Sequence, residues 1–287
     1  MRVQWMAALL LALGATPVLA LPAVGVVDAV QAPAWLERGA ERQPLMPGMA
    51  VMNGDVLQTG DGGRVYVAMA EGSTVKLGES AKLNVYSSSL RPERLFRGAL
   101  DVLTGAFRYT TGQINKLRKR ELTIRVGTAT MGIRGTDVWG KARRDEDFIM
   151  LIEGHIEVKS PGGEPQEMRE ASTAYVAPKG GTAYIKTVTP GELQARARET
   201  DLDPADGAIH RKGRWSLRLG GAVSEEEALE RYDAARAAGF AAQIRPLAGE
   251  KGWSYEVLLK GYASQQEAER AAARVAAALQ MPVSALR

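Results

Sequence analysis

Near the C-terminus seven residues have types and spacing from which polar recognition can be built: Ser216, Arg218, Gln243, Arg245, Trp253, Glu256 and Leu258. They lie on three short segments whose apolar members alternate with the rest: Leu217 and Leu219, Ala242 and Ile244, Val257 and Leu259. Successive side chains of a strand face opposite ways. If the apolar set turns inward, Ser216, Arg218, Gln243, Arg245, Glu256 and Leu258 turn outward together. Trp253, at the start of the third segment, offers a flat ring for stacking. Two guanidiniums on such a face can hold a carboxylate through charge-assisted hydrogen bonds, worth about 1.5–3 kcal/mol each. Glu256 opposes their charge.

Other chemistries find little support. The chain has no cysteine, which removes disulfides, thiolate catalysis, cysteine metal sites and a lipidated N-terminal cysteine. Its two histidines, His155 and His210, do not suggest a multi-histidine metal site. No G-x-S-x-G, H-E-x-x-H, S-x-x-K or glycine-rich phosphate loop occurs. A hydrolase using two carboxylates about 5–10 Å apart is the enzymatic alternative, since Asp and Glu abound. The expectation is a non-enzyme with no cofactor and no metal. Thirty-seven basic residues against 33 acids leave a net charge of +4, which does not imply nucleic-acid binding. Arg91, Arg94 and Arg97, and the run Lys116–Arg120, are local concentrations of charge. Such a run can attract an anionic membrane or polymer, although a solvated loop is its commoner meaning.

The elements that must position the seven residues are legible in 213–287. A strand around Trp215–Leu219 is followed by Ser224-Glu225-Glu226-Glu227, a capping box. The helix it opens places Ala228, Leu229, Tyr232 and Ala235 inward and stops at Gly239. Two strands follow, then a second box, Ser264-Gln265-Gln266-Glu267, and a helix with Ala268, Ala271, Ala272, Val275 and Leu279 inward. Pro282 halts it before a last strand at Val283–Leu286. The halves repeat at an offset of 40, with Trp215 matching Tyr255, Leu217 matching Val257, Gly221 matching Gly261 and Ser224 matching Ser264. A duplicated β-α-β unit gives a ferredoxin-like βαββαβ domain, with both helices on one face of an antiparallel sheet.

Upstream, residues 1–20 read as a secretory signal: Arg2, an apolar run from Met6 to Ala15, and small residues for cleavage after Ala20. That predicts an exported, periplasmic protein with no transmembrane span in the mature chain. Residues 21–189 show many short apolar alternations joined by turns such as Asn53-Gly54-Asp55, Glu71-Gly72-Ser73 and Glu153-Gly154, the last two read as hairpins. In their midst Gly132 and Gly135 bracket Arg134, with Thr136 and Asp137 following. This predicts two strands meeting at a kink with Arg134 buried there, paired to Asp137 or Glu153. Residues 190–212, with a short polar helix and then Asp, Pro and Gly, read as a linker.

Two resemblances add to this. The runs Gly54-Asp55-Val56-Leu57-Gln58-Thr59-Gly60, Glu71-Gly72-Ser73 and Met131-Gly132-Ile133-Arg134-Gly135-Thr136-Asp137-Val138 resemble the signatures of the periplasmic FecR-type domain. That resemblance implies a compact all-β roll or solenoid-like stack. Residues 213–287 are similar to the SPOR domain in order and in Trp215-Ser216-Leu217-Arg218-Leu219-Gly220 and Val257-Leu258-Leu259-Lys260-Gly261-Tyr262. Arg218 stands where the family usually has Gln, Glu256 where Arg is common. This resemblance implies binding of peptidoglycan, in particular glycan stripped of stem peptides, by the outward residues. Together they imply a cell-envelope protein whose FecR-like part meets another, unidentified envelope component. The alternative they leave is an envelope signalling protein of the iron-uptake type, although the cytoplasmic region and span of those regulators have no counterpart here.

Overall fold

The computed structural model describes residues 22–89, 91, 94–112, 119–250 and 252–287, with backbone alone at 96, 119, 120 and 134. The expected signal and its cleavage site, most of the run Lys116–Arg120 and the side chain of Arg134 lie outside the described residues. In chain order the first part forms β1 (Gly25–Gln31), β2 (Ala34–Arg38), β3 (Glu41–Pro44), β4 (Ala50–Val51), β5 (Val56–Thr59), β6 (Arg64–Met69), β7 (Thr74–Leu77), β8 (Lys82–Ser87), β9 (Leu95–Thr110), β10 (Lys119–Val126), β11 (Ala129–Ala142), β12 (Glu146–Lys159), β13 (Gln166–Met168), β14 (Thr173–Pro178) and β15 (Tyr184–Thr187). Then come α1 (Pro190–Thr200), β16 (Ile209–His210), β17 (Trp215–Leu219), α2 (Glu225–Ala237), β18 (Ala242–Gly249), β19 (Gly252–Tyr262), α3 (Gln265–Leu279) and β20 (Val283–Leu286).

The first fifteen strands make two sheets that share their longest members. One ladder runs β4-β1-β6-β7, then through the C-terminal half of β9 and of β11 to the N-terminal half of β12, and on to β14 and β15. The other runs β3-β2-β5-β8, then through the opposite halves of β9, β11 and β12, with β10 between β9 and β11 and β13 at its end. Alternation puts Val65, Val67, Val75, Leu77, Leu83 and Val85 into one core. A second, smaller cluster of Trp139, Phe148 and Met150 lies on the outer face of the first ladder, with Leu193 of α1 against it. This double burial explains the unbroken apolar run Phe148–Ile152, which a half-exposed strand would not show.

The expected kink is a bulge inside one strand. β11 is continuous, but its register against β12 slips between Arg134 and Val138, and Gly135 has φ +64°. Before the slip β11 pairs with β10; after it, with β9. The bulge is therefore where the strand changes sheet. Gly154 lies opposite, at φ +94°, and a Cβ there would stand 2.2 Å from the Gly135 carbonyl oxygen. Glu153-Gly154 consequently bends one strand, β12, and does not close a hairpin. Glu71-Gly72 does link an antiparallel pair, β6 and β7.

In the C-terminal part the order is β18-β19-β17-β20, every pair antiparallel. Ser224 and Ser264 accept the N–H of Glu227 and Glu267 at 3.3 and 3.1 Å, as the capping boxes require. Ala228 and Ala235 are buried in α2, but Leu229 is 48% exposed. The buried stripe of α2 is narrow, and Leu229 sits about 100° around the axis from Ala228. Helix α3 ends at Gln280 in a left-handed conformation, two residues before Pro282.

The stretch read as a linker is an ordered strap. Helix α1 starts at the Thr189 cap; Asp201 binds Lys76 Nζ at 2.6 Å, and Leu202 N–H donates to Tyr66 Oη at 2.9 Å. Strand β16 pairs with both β1 and β19, so hydrogen bonding continues from the first part into the second. Its polar composition hides Ala208 and Ile209, which are buried.

Candidate polymer-binding face

The sheet register brings six of the seven sequence-chosen residues onto one face. Leu258 lies opposite Arg218 on one side and Gln243 on the other; Glu256 lies opposite Arg245, and Ser216 opposite Lys260. The Gly249–Gly252 pair closes the β18–β19 hairpin and sets that register. Trp253 is on the other face. With no slip between Gly252 and Leu259, alternation places it with Tyr255 and Val257, on the side carrying α2, where Tyr255 Oη meets Glu225 at 3.5 Å. Trp253 is 66% exposed there, and its ring does not join the arginines.

The face is also less open than alternation implies. Leu258 is fully buried, Glu256 is 4% and Ser216 8% exposed. Gln243 Nε2 reaches Met46 Sδ of the first part at 4.0 Å. Docking against the first part, together with the stems of neighbouring long side chains, closes what an isolated four-stranded sheet would leave bare.

At the centre of what remains stands one carboxylate between two guanidiniums. Arg218 Nη1 donates to Glu256 Oε1 at 3.1 Å; Arg245 Nε donates to Glu256 Oε2 at 3.0 Å, with Nη2 on the same oxygen. The hydrogen bonds from Arg245, and then those from Arg218, hold the Glu256 carboxyl below its usual range against the opposing effect of burial. The group carries one net positive charge. The arginine side chains stay 37% and 43% exposed, and Arg218 Nε is buried without a hydrogen-bond partner among the described residues. Donors therefore remain for an incoming anion or hydroxyl. The sequence signal for this triad was the hairpin itself: two glycines closing β18 onto β19 put 245 beside 256. Met46, some two hundred positions away, had no such signal.

Other sequence-chosen positions are structural in their surroundings. Thr136 is buried at the bulge, its N–H bonded to Thr111 Oγ1 at 3.1 Å. Asp137, expected as a partner of Arg134, receives Arg108 through two hydrogen bonds of 2.8 and 2.6 Å and Thr110 Oγ1 at 3.2 Å. Gly132 faces open space. His155 and His210 lie 3.8 and 3.9 Å from single glutamates. No cluster of three or more potential metal ligands occurs among the described residues.

Comparison with known families decides what these two parts are. Residues 55–157 match the model of the FecR protein family, and residues 211–286 match the SPOR domain. The chain carries a FecR domain followed by a SPOR domain. Both are non-catalytic families typical of periplasmic or envelope proteins, and the SPOR domain suggests peptidoglycan binding. Two crystal structures of a candidate anti-sigma factor from Parabacteroides distasonis ATCC 8503 are similar. One, at 1.65 Å resolution, shows 13% identity and a TM-score of 0.41, covering 70% of this chain and 97% of that one. The other, at 2.50 Å, shows 12% identity and the same TM-score, covering 64% and 75%. None of the curated proteins matches the chain. No described helix is long and apolar enough to cross a membrane.

Proposed function

We propose that the protein is an exported, periplasmic, non-enzymatic envelope protein. Its ferredoxin-like SPOR domain binds peptidoglycan glycan strands, and its FecR domain contacts another envelope component. What carries the reading is the pair of half-exposed guanidiniums on the SPOR sheet, held in place by one buried carboxylate. Glycan stripped of its stem peptides exposes a lactyl carboxylate on each muramic acid. Arg218 and Arg245 offer that carboxylate charge-assisted donors at fixed positions. Ser216 and Leu258 are too buried to contribute more than shape, Gln243 sits at the border with Met46, and Trp253 belongs to the opposite face.

The test is co-sedimentation of the full chain with amidase-treated sacculi. Arg218→Ala and Arg245→Ala should each lower retention about tenfold or more, the loss of one charge-assisted hydrogen bond, and rising salt should weaken the wild type. Undiminished retention of the double variant rejects the site. The match of 55–157 to the FecR family favours a second role, transmitting an envelope signal to a protein partner. Cross-linking on intact cells separates the two: a partner recovered only through the FecR domain, with no sacculus retention, supports signalling alone.

A further inference from the structure

The molecule has a cationic pole that the SPOR face does not explain. Residues 91–97 and 116–121 together hold seven basic residues and two acids, an excess of five, while the whole chain carries +4. The rest of the protein is thus close to neutral. The two segments are far apart in sequence but β9 and β10 run parallel, with Leu95 beside Lys119 and Arg97 beside Glu121. Parallel pairing puts both strand starts at the same end of the sheet, so the two basic segments converge there.

The described side chains at this end are arranged to receive anions. Ser88 N–H donates to the Arg97 carbonyl at 3.0 Å, and Arg97 N–H donates to Ser89 Oγ at 2.6 Å. A turn follows in which the Arg91 carbonyl accepts from the N–H groups of Arg94 and Leu95 at 2.9 and 3.1 Å. Ser88, Ser89, Arg91, Arg94, Leu95 and Arg97 line a concavity of 440 Å³. All three arginines are exposed. Arg97 is tied to Glu121 at 2.6 Å, whereas Arg91 and Arg94 form no ion pair with a described residue. A specific protein interface is built around a desolvated apolar centre. Here the described apolar contribution is half-buried Leu95 alone. Forked guanidiniums and hydroxyls without an apolar centre suit phosphate groups spread over a surface.

We propose that this pole, centred on Arg91 and Arg94, docks the protein onto an anionic phospholipid surface. Each arginine near such a surface contributes about 1 kcal/mol, roughly fivefold in partitioning. The experiment is flotation of the full chain with vesicles of phosphatidylcholine alone and of phosphatidylcholine with phosphatidylglycerol. The expected result is binding to the anionic vesicles only, weakened by salt, and reduced about thirty-fold in Arg91→Ala/Arg94→Ala. A charge-matched control, Arg144→Ala/Lys212→Ala, alters exposed residues outside the pole and should bind as the wild type does. Equal binding to neutral vesicles, or unaltered binding of Arg91→Ala/Arg94→Ala, overturns the proposal. So does an equal loss in the control, which would mean net charge acts without a defined pole. Displacement by inorganic phosphate at low millimolar concentration would show a small-anion site and also overturns it. Sacculus retention, measured on the same variants, should not change, which keeps this test separate from that of the SPOR face.

Discussion

Glu256 decides how strongly the SPOR face reads charge. It is buried, and it takes up the charge of one of the two arginines it holds. Glu256→Gln keeps an acceptor oxygen but removes the negative charge. The variant should bind amidase-treated sacculi more tightly than the wild type, with a steeper dependence on salt, read from retention across a salt series. It should also be less stable, because two neighbouring guanidiniums lose their counter-charge. That difference has a defined pH window. The folded-state pKa of Glu256 lies below its ordinary value, so its stabilising contribution is fully present above the ordinary carboxylate range, at about pH 4.3, and is lost as pH falls through the lowered value. Melting curves of wild type and variant should be separated at neutral pH and converge on acidification below about pH 4. A constant separation down to pH 2 would show that another effect sets the difference.

At the scale of elements, the crossed bulge of β11 and β12 holds the FecR domain together, because both strands change sheet there. Its glycines are not equivalent. Gly154→Ala would force a Cβ to within 2.2 Å of a carbonyl oxygen at φ +94°, and neither strand can move without losing register. We expect a loss of about 3 kcal/mol or more, seen as a lower urea midpoint. Gly132→Ala meets nothing within 4 Å and has no left-handed φ. It should change stability by less than about 1 kcal/mol, in either direction. If the two variants unfold alike, the bulge is not what the glycines serve.

Over the whole molecule, the strap makes one body of two domains. Gln31, 1% exposed, donates to the Gly62 carbonyl and to Asp206, both at 3.1 Å, and accepts from Asp203 N–H at 2.9 Å. Arg274 of α3 donates to the same two acceptors, at 3.2 and 2.8 Å. Ala34 N–H donates to the Gly239 carbonyl at 3.2 Å. A glycan strand held by the SPOR face is therefore held in fixed orientation to the FecR domain. Calorimetry should show a single transition. Gln31→Ala leaves buried partners unsatisfied and should cost about 2–3 kcal/mol, moving that transition as a whole. Two resolved transitions in the wild type would mean that the domains unfold independently and that the strap is only a tether.

Much of the architecture was legible from residues 213–287 because the 40-residue repeat, the two capping boxes and the strand alternation all act locally. The same holds for the Glu71-Gly72 hairpin and for the two family signatures. Local pattern also placed Arg218, Arg245 and Glu256 on one face. Tertiary structure decided the remainder, in each case through a contact between distant positions. Whether Gly132–Asp137 joins two strands or bulges within one depends on Gly154 and on a change of partner from β10 to β9. That Arg108 takes Asp137 depends on the pairing of β9 with β11. The strap looked like a linker because its polar residues find their partners on β6, β7 and α3, out of reach of any local pattern. The SPOR face looked open because nothing near it in sequence announces Met46. The basic pole exists because β9 and β10 run parallel. Alternation and capping are set by neighbours along the chain, whereas partner choice and burial are set by which surfaces the folded chain brings together.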